Sequence, residues 1–453
     1  MGQKKYEIDM CNGPLLGKIL LFAIPLMLSS MLQLFFNAAD VIVVGRFVGP
    51  QALAAVGSTS SLVNLLINMF IGFSVGTNVM TARYLGTNNK KGVSEIVHTS
   101  LLFAFLSGIA LVFVGFFLSK PLLSLMGTPE DVLDQAALYI KVYFAGMPVI
   151  MVYNFGNAVF RAAGDTRRPL YYLAVAGVVN VALNIFFVTQ LNMEVEGVAL
   201  ATVLSQVLSV VLLLRAMAKT DSSYKFEFRK LSIKKKQLKQ IVRIGLPAGL
   251  QGSLFSISNV LIQSSINLFG SLAMAGSAAA NNVENFTYVA MNAFHQTALS
   301  FVSQNLGAGK IDRIKRTTIL CEVCVVVTGL VFGVGLWLVG EPFLGIFSSD
   351  AEVIRYGMIK LTYVCAVYFL CGVMDVLVGC IRGLGCSVMP MIVSLVGVCG
   401  LRIVWIFTVF QKYKTLEVLY ASYSVTWTVT ALCHALCFVV VYKKLKIKQK
   451  SLA

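Results

Sequence analysis

A chain of 453 residues that is 57% apolar, 13% charged and +0.81 in mean hydropathy lacks the polar residues to cover a soluble domain. Apolar runs of roughly 20 residues, enough to cross ~30 Å of hydrocarbon as a helix, recur along its length and identify an integral membrane protein. The net charge of +17 does not mark a nucleic-acid partner, because Lys and Arg collect in every second loop, the positive-inside pattern.

The opening MGQKKYEIDMCNGPLLGK shows no cleavage site ahead of a short apolar core, so no cleavable signal peptide is expected. Twelve spans follow, at about 15–44, 52–82, 93–118, 137–160, 169–189, 197–217, 241–267, 273–304, 317–339, 357–380, 388–410 and 418–441. This predicts an all-α integral membrane protein of 12 transmembrane helices in two six-helix lobes. With the N-terminus inside, 29 of 37 basic residues fall on the cytoplasmic side, including Lys4, Lys5 and the KKLKIKQK tail. Seven fall outside and Arg402 lies within a span, so both termini are expected in the cytoplasm and the chain in the plasma or inner membrane. The charged stretch TDSSYKFEFRKLSIKKKQLKQ sits at the midpoint and divides an N-lobe (1–218), a linker (219–240) and a C-lobe with its basic tail (241–453).

The halves repeat. At an offset of 221, Phe73/Phe294, Gly108/Gly329, Pro121/Pro342, Arg161/Arg382, Gly164/Gly385 and Pro169/Pro390 coincide, and Pro25/Pro247 coincide at 222. Each half holds six spans, an even number, so both enter the membrane in the same sense. That makes a parallel repeat of the kind found in alternating-access transporters, with a cavity expected between the lobes.

Three acids fall well inside predicted spans: Asp40, Glu284 and Asp375. A central Asp costs ~2.5–3.5 kcal/mol on insertion scales, so such residues usually face the bundle interior and carry function. In the first span, LQLFFNAADVIVVGRF places Asp40 about one turn from the outer boundary. In the fifth, Asn180 and Asn184 share a face one turn apart. In the sixth, Thr202 comes to a similar depth, roughly 8–10 Å below the outer boundary at ~1.5 Å per residue. One carboxylate with two amides and a hydroxyl suits a small hard cation such as Na⁺, or a proton carried on Asp40. The repeat positions in the second half are Ile262, Leu401, Trp405 and Tyr423, so the polar cluster belongs to the N-lobe alone. Pro25, mid-span, predicts a kink or hinge.

Gln33, Asn37, Gln251, Glu284 and Asp375 are candidates to line the substrate cavity, and Asn259, Gln263 and Asn285 are further polar residues there. Arg402 is a candidate partner for Asp375. Cys321-x-x-Cys324 and Cys433-x-x-x-Cys437 lie in apolar helices without a second pair or His ligands, which fits packing rather than metal binding. His98, His295 and His434 share no ligand spacing. No catalytic constellation or nucleotide-binding loop is present, so neither an enzyme nor an ATP-driven pump is expected.

Three stretches carry a family likeness: IPLMLSSMLQLFFNAADVIVVGRFVGPQALAAVG; ARYLGTNN paired with SQNLGAGK; and FRAAGDTRRP paired with IRGLGCSVMP. They resemble the multidrug and toxic compound extrusion transporters over essentially the whole chain. The resemblance implies two six-helix lobes and secondary active antiport, in which entry of Na⁺ or H⁺ drives export of small, often cationic organic compounds. It further implies an N-lobe cation site at Asp40, Asn180, Asn184 and Thr202. Some members have Asp where this chain has Asn184, which leaves one formal charge fewer here. Another branch has a Glu in span 7 where this chain has Phe255, so that branch's C-lobe coupling is not expected. Expected partners are organic substrates and membrane lipids, with no cofactor beyond the coupling ion and a monomeric chain. The alternative is a flippase for lipid-linked precursors on a similar scaffold, which needs bases deep in its cavity; only Arg402 is placed so.

Overall fold

A computed structural model describes residues 6–451, all of whose regular elements are helical. Lys4 and Lys5 lie outside the described residues. The helices are α1 (Leu15–Val43), α2 (Pro50–Gly86), α3 (Lys90–Leu125), α4 (Glu130–Ala145), α5 (Met147–Ala162), α6 (Arg167–Thr189), α7 (Val195–Lys219), α8 (Lys235–Asn267) and α9 (Ser271–Gly307). They continue with α10 (Ile311–Leu338), α11 (Gly340–Gly345), α12 (Ala351–Cys365), α13 (Tyr368–Gly383), α14 (Val388–Ser394), α15 (Leu401–Phe407), α16 (Val409–Tyr413) and α17 (Leu416–Lys450). Among the described residues eight stretches are long and apolar enough to cross a membrane, and the pairs α4–α5 and α12–α13, each taken as one span, bring the number to ten. The remaining two of the twelve expected spans, α8 and α9, have 33 and 37 residues but are rich in Ser, Asn and Gln.

Two expected spans are therefore bent pairs. The fourth is not one helix over 137–160 but α4 and α5, meeting at 51°, and the tenth is not one helix over 357–380 but α12 and α13, meeting at 47°. At the first break Pro148 removes a backbone donor in the opening turn of α5. Gly146 admits Val203 there, since a Cβ on that glycine would lie 2.4 Å from the valine's Cγ2. The second break falls at Val367, the repeat position of Gly146, although no proline stands there. The eleventh span is likewise interrupted, by a π-helical turn Leu395–Gly400 and a further step at Thr408.

The chain forms two compact units. Among the described residues, one contains 6–8 and 28–249, the other 9–27 and 250–451. This differs from the expected boundary near the linker. The first helix of each repeat changes unit partway along, two residues after its proline: α1 after Pro25 and α8 after Pro247.

In the N-terminal unit, the first half of α8 is held by two facing Gly-x-x-x-Gly motifs, Gly72/Gly76 on α2 and Gly245/Gly249 on α8. Backbones meet so closely that a Cβ on Gly72 would lie 2.2 Å from the Gly249 amide nitrogen. The linker is not merely a solvated tether. Tyr224 is buried, accepts from Arg168 Nη2 at 3.1 Å and donates to Glu7 Oε1 at 2.6 Å. Burial, reinforced by the Glu7 carboxylate, pushes the Tyr224 phenol above its ordinary value, so it remains a donor. His98 fixes the next residues: its Nδ1 donates to the Ser94 carbonyl at 2.7 Å, which leaves Nε2 to accept the Glu227 amide at 3.0 Å.

In the C-terminal unit, the first half of α1 buries Ile19, Phe22 and Ala23, with Phe22 edge-on to Phe301 at 5.5 Å. The packing scheme of the units is the same. Helix α2 packs on α3, α4 and α5 in one, as α9 packs on α10, α12 and α13 in the other. Helix α7 covers α4 and α5 as α17 covers α12 and α13. The duplication read from Gly, Pro and Arg is thus a duplication of helix contacts.

Candidate cation site in the N-terminal unit

Helix α1 reaches α6 because Gly177 has no side chain. The Phe36 ring occupies the space, and a Cβ on Gly177 would fall 1.8 Å from its Cε2. Phe36 is one turn before Asp40 and Gly177 one turn before Asn180, so this contact sets the two polar residues at one level. Helix α7 arrives from the other side, where Val203 packs into the α4–α5 break and its neighbour Thr202 faces the cluster.

The structure brings together all four expected residues. Asn184 Nδ2 donates to Asp40 Oδ1 at 2.5 Å and lies 3.3 Å from Asn180 Oδ1. Asn180 Nδ2 donates to Thr202 Oγ1 at 3.4 Å, and Thr202 in turn donates to the Val198 carbonyl at 3.0 Å. Asn180 and Asn184 are buried, at 3% and 0% exposure, while Asp40 is half-buried. Tyr139 and Tyr143 of α4 lie within electrostatic reach of the carboxylate. Among the described residues no ion pair reaches Asp40, and Asn184 Oδ1 is buried without a hydrogen-bond partner. This is a carboxylate among neutral oxygens, one of them unsatisfied, which is the donor set of a small hard cation.

The other candidates are distributed differently. Gln33 and Asn37 are exposed on α1, seven and three residues ahead of Asp40 and so on one face with it. Gln251 does not face open space. It is buried, its Oε1 accepting from Arg382 Nη2 at 2.9 Å and its Nε2 donating to Ser394 at 3.2 Å. Arg402 does not pair with Asp375 among the described residues; it lies 4.3 Å over the Tyr423 ring and 3.5 Å from Asn259 Oδ1. The Asp375 carbonyl accepts from His295 Nδ1 at 2.6 Å.

Two buried charged groups escaped the sequence reading. Lys360, counted there among the seven outer bases, is 2% exposed within α12 and pairs with Glu284 at 3.0 Å. The expected span 357–380 already contains this lysine three residues from its start, and the apolar flanks of MIKLTYV were the signal that it lies within the span rather than with the outer bases. Glu322 of α10 has both carboxyl oxygens buried without a hydrogen-bond partner.

The MatE family pattern matches residues 25–186 and again 247–408, one match per repeat and each opening on its proline. The probable multidrug resistance protein YoeA of Bacillus subtilis (strain 168) is 28% identical over 436 residues, 94% of each chain. A FAD transporter of Shewanella oneidensis is 25% identical over 349 residues, covering 75% of this chain and 76% of its own. An outward-facing multidrug resistance MATE transporter of the MOP superfamily superposes with a TM-score of 0.90 at 22% identity, covering 96% of this chain and 98% of that one, which shows the fold. With the family pattern spanning both repeats of a multi-pass helical membrane protein, the chain belongs to the MatE family, the multidrug and toxic compound extrusion transporters.

Proposed function

We propose that this protein exports small, often cationic organic compounds by alternating access, driven by inward movement of Na⁺ or H⁺ through the Asp40 site. The observation that carries the reading is Asp40 held by Asn184 beside Asn180 and Thr202, with no ion pair on it among the described residues. Such a carboxylate must find its counter-charge from outside, and an arriving cation or proton supplies it. For Na⁺, rotation of the Asn184 amide turns its unsatisfied oxygen toward the ion in place of its N–H. For H⁺, the Asp40 carboxyl loads directly while Asn184 and Thr202 keep it oriented.

Occupancy then alters the hold of α1 on α6 and α7, and Pro25, where the helix lacks one backbone hydrogen bond, absorbs the bend. Gln33 and Asn37 extend the Asp40 face of α1 as a polar stripe suited to an organic cation. The relatives named for multidrug resistance support this substrate class. The protein resides in the plasma or inner membrane with both termini in the cytoplasm, and acts as a monomer.

The test is dye efflux from right-side-out membrane vesicles with Na⁺ and pH gradients imposed separately. One gradient drives efflux in the wild type, and Asp40→Asn removes that dependence while the protein stays in the membrane. Full gradient-driven efflux by Asp40→Asn would end the proposal.

A further inference from the structure

Lys360 is the most deeply buried lysine whose partners the structure defines. Its ammonium donates to Glu284 Oε1 at 3.0 Å and to Asn281 Oδ1. Asn281 and Glu284 are three residues apart on α9 and so share a face. The Glu284 side chain is 12% exposed, and its second oxygen is buried without a partner. Tyr420 and Tyr423 of α17 lie within electrostatic reach of the ammonium.

The internal repeat relates this cluster to the one at Asp40. Lys360 is the repeat position of Tyr139, and Tyr423 that of Thr202, both at an offset of 221. Tyr139 and Thr202 stand at Asp40 in the N-terminal unit. The two clusters therefore occupy corresponding parts of the two units. Each offers a carboxylate and at least one side-chain amide, the same hard-oxygen chemistry. They differ in the positive charge: on Asp40 none is covalently attached, whereas on Glu284 it is the end of a lysine. An ammonium is a compact point charge with three donors, the closest a side chain comes to a small monovalent cation.

We propose that the C-terminal unit carries an immobilised cation: Lys360 fills, on Glu284 and Asn281, a site for a small monovalent cation, and removing the ammonium opens that site. The site's existence does not depend on the transport role of Asp40, which serves only as its comparison. The site needs no ion from solution, so in the native protein this unit is indifferent to the cation gradient.

The experiment uses the purified full chain with Asp40→Asn throughout, so that the N-terminal cluster contributes nothing and failure of the proposed transport mechanism is kept separate. Unfolding temperature is measured in NaCl, LiCl and choline chloride at equal ionic strength. With Lys360 present, no small-cation-specific shift is expected. With Lys360→Ala, Na⁺ or Li⁺ raises the midpoint saturably by roughly 2–4 °C relative to choline, and adding Glu284→Gln abolishes the rise. Absence of a cation-specific shift in Lys360→Ala, or its persistence with Glu284→Gln, overturns the proposal. Should Lys360→Ala not accumulate, Lys360→Met keeps most of the packing stem and is extracted in parallel with each salt. Several-fold better recovery in Na⁺ or Li⁺ than in choline supports the site, and equal recovery overturns it.

Discussion

The two units share a helix scheme and differ in the partners they give a half-buried carboxylate. In the N-terminal unit, Asp40 accepts from Asn184, which is joined through Asn180 to Thr202, all neutral. In the C-terminal unit the corresponding positions hold Ile262, Leu401, Trp405 and Tyr423, with Arg402 stacked on Tyr423 and Lys360 on Glu284. A carboxylate with neutral partners is poised to exchange its counter-charge with solution. One with a built-in ammonium is not, because separating a buried pair leaves two uncompensated charges. Duplication thus preserved the scaffold, while the charge pattern around these carboxylates differs between the two halves.

The largest effect that sharpens this contrast is expected at the carboxylates. Asp40→Asn should lower gradient-driven efflux by about 100-fold, the upper range of a coupling free energy. The double variant Lys360→Met/Glu284→Gln should keep transport within about threefold of wild type, since replacing a buried pair by neutral groups is often nearly neutral. Vesicle efflux decides, and equal losses in both would erase the distinction between the units.

Next in size is stability. Lys360→Met alone should cost ~3–5 kcal/mol by stranding the Glu284 carboxylate, and adding Glu284→Gln should recover most of it. Detergent-solubilised unfolding measures both; an additive rather than compensating pair of effects would show that the two residues do not act together.

A third contrast concerns helix approach. Gly177 meets Phe36, while its repeat position is Val398, already buried with a side chain. Gly177→Ala should cost about 1–3 kcal/mol from overpacking and weaken cation activation of efflux, by lifting α1 from α6. A variant with normal stability and normal activation would mean that this contact does not set the site.

The smallest effect is expected at a neutral ligand. Asn180→Ala should raise the half-saturating cation concentration about tenfold, equivalent to ~1.4 kcal/mol, with maximal efflux retained. Asn259→Ala, at the repeat position of Asn37 in the C-terminal unit, should leave cation activation unchanged; titration of efflux against the driving cation compares them.

Composition, the roughly 20-residue apolar period, alternating loop charge and the Gly, Pro and Arg register determined a membrane-spanning helical duplication without any coordinates. Helical spacing also determined that Asn180 and Asn184 share a face, and depth arithmetic set Asp40 and Thr202 near them. These properties are local or periodic, so they survive projection onto one dimension. The tertiary structure decided what depends on contact between distant segments. It closed α1 onto α6 through the missing side chain of Gly177, and exchanged the first half of each repeat's opening helix between units just after its proline. It broke the fourth and tenth spans, used up Gln251 on Arg382 and Ser394, and paired Lys360 with Glu284. A side chain's burial and partners depend on which helices pack against it, and residues as far apart in the chain as Glu284 and Lys360 carry no local signal that they will meet.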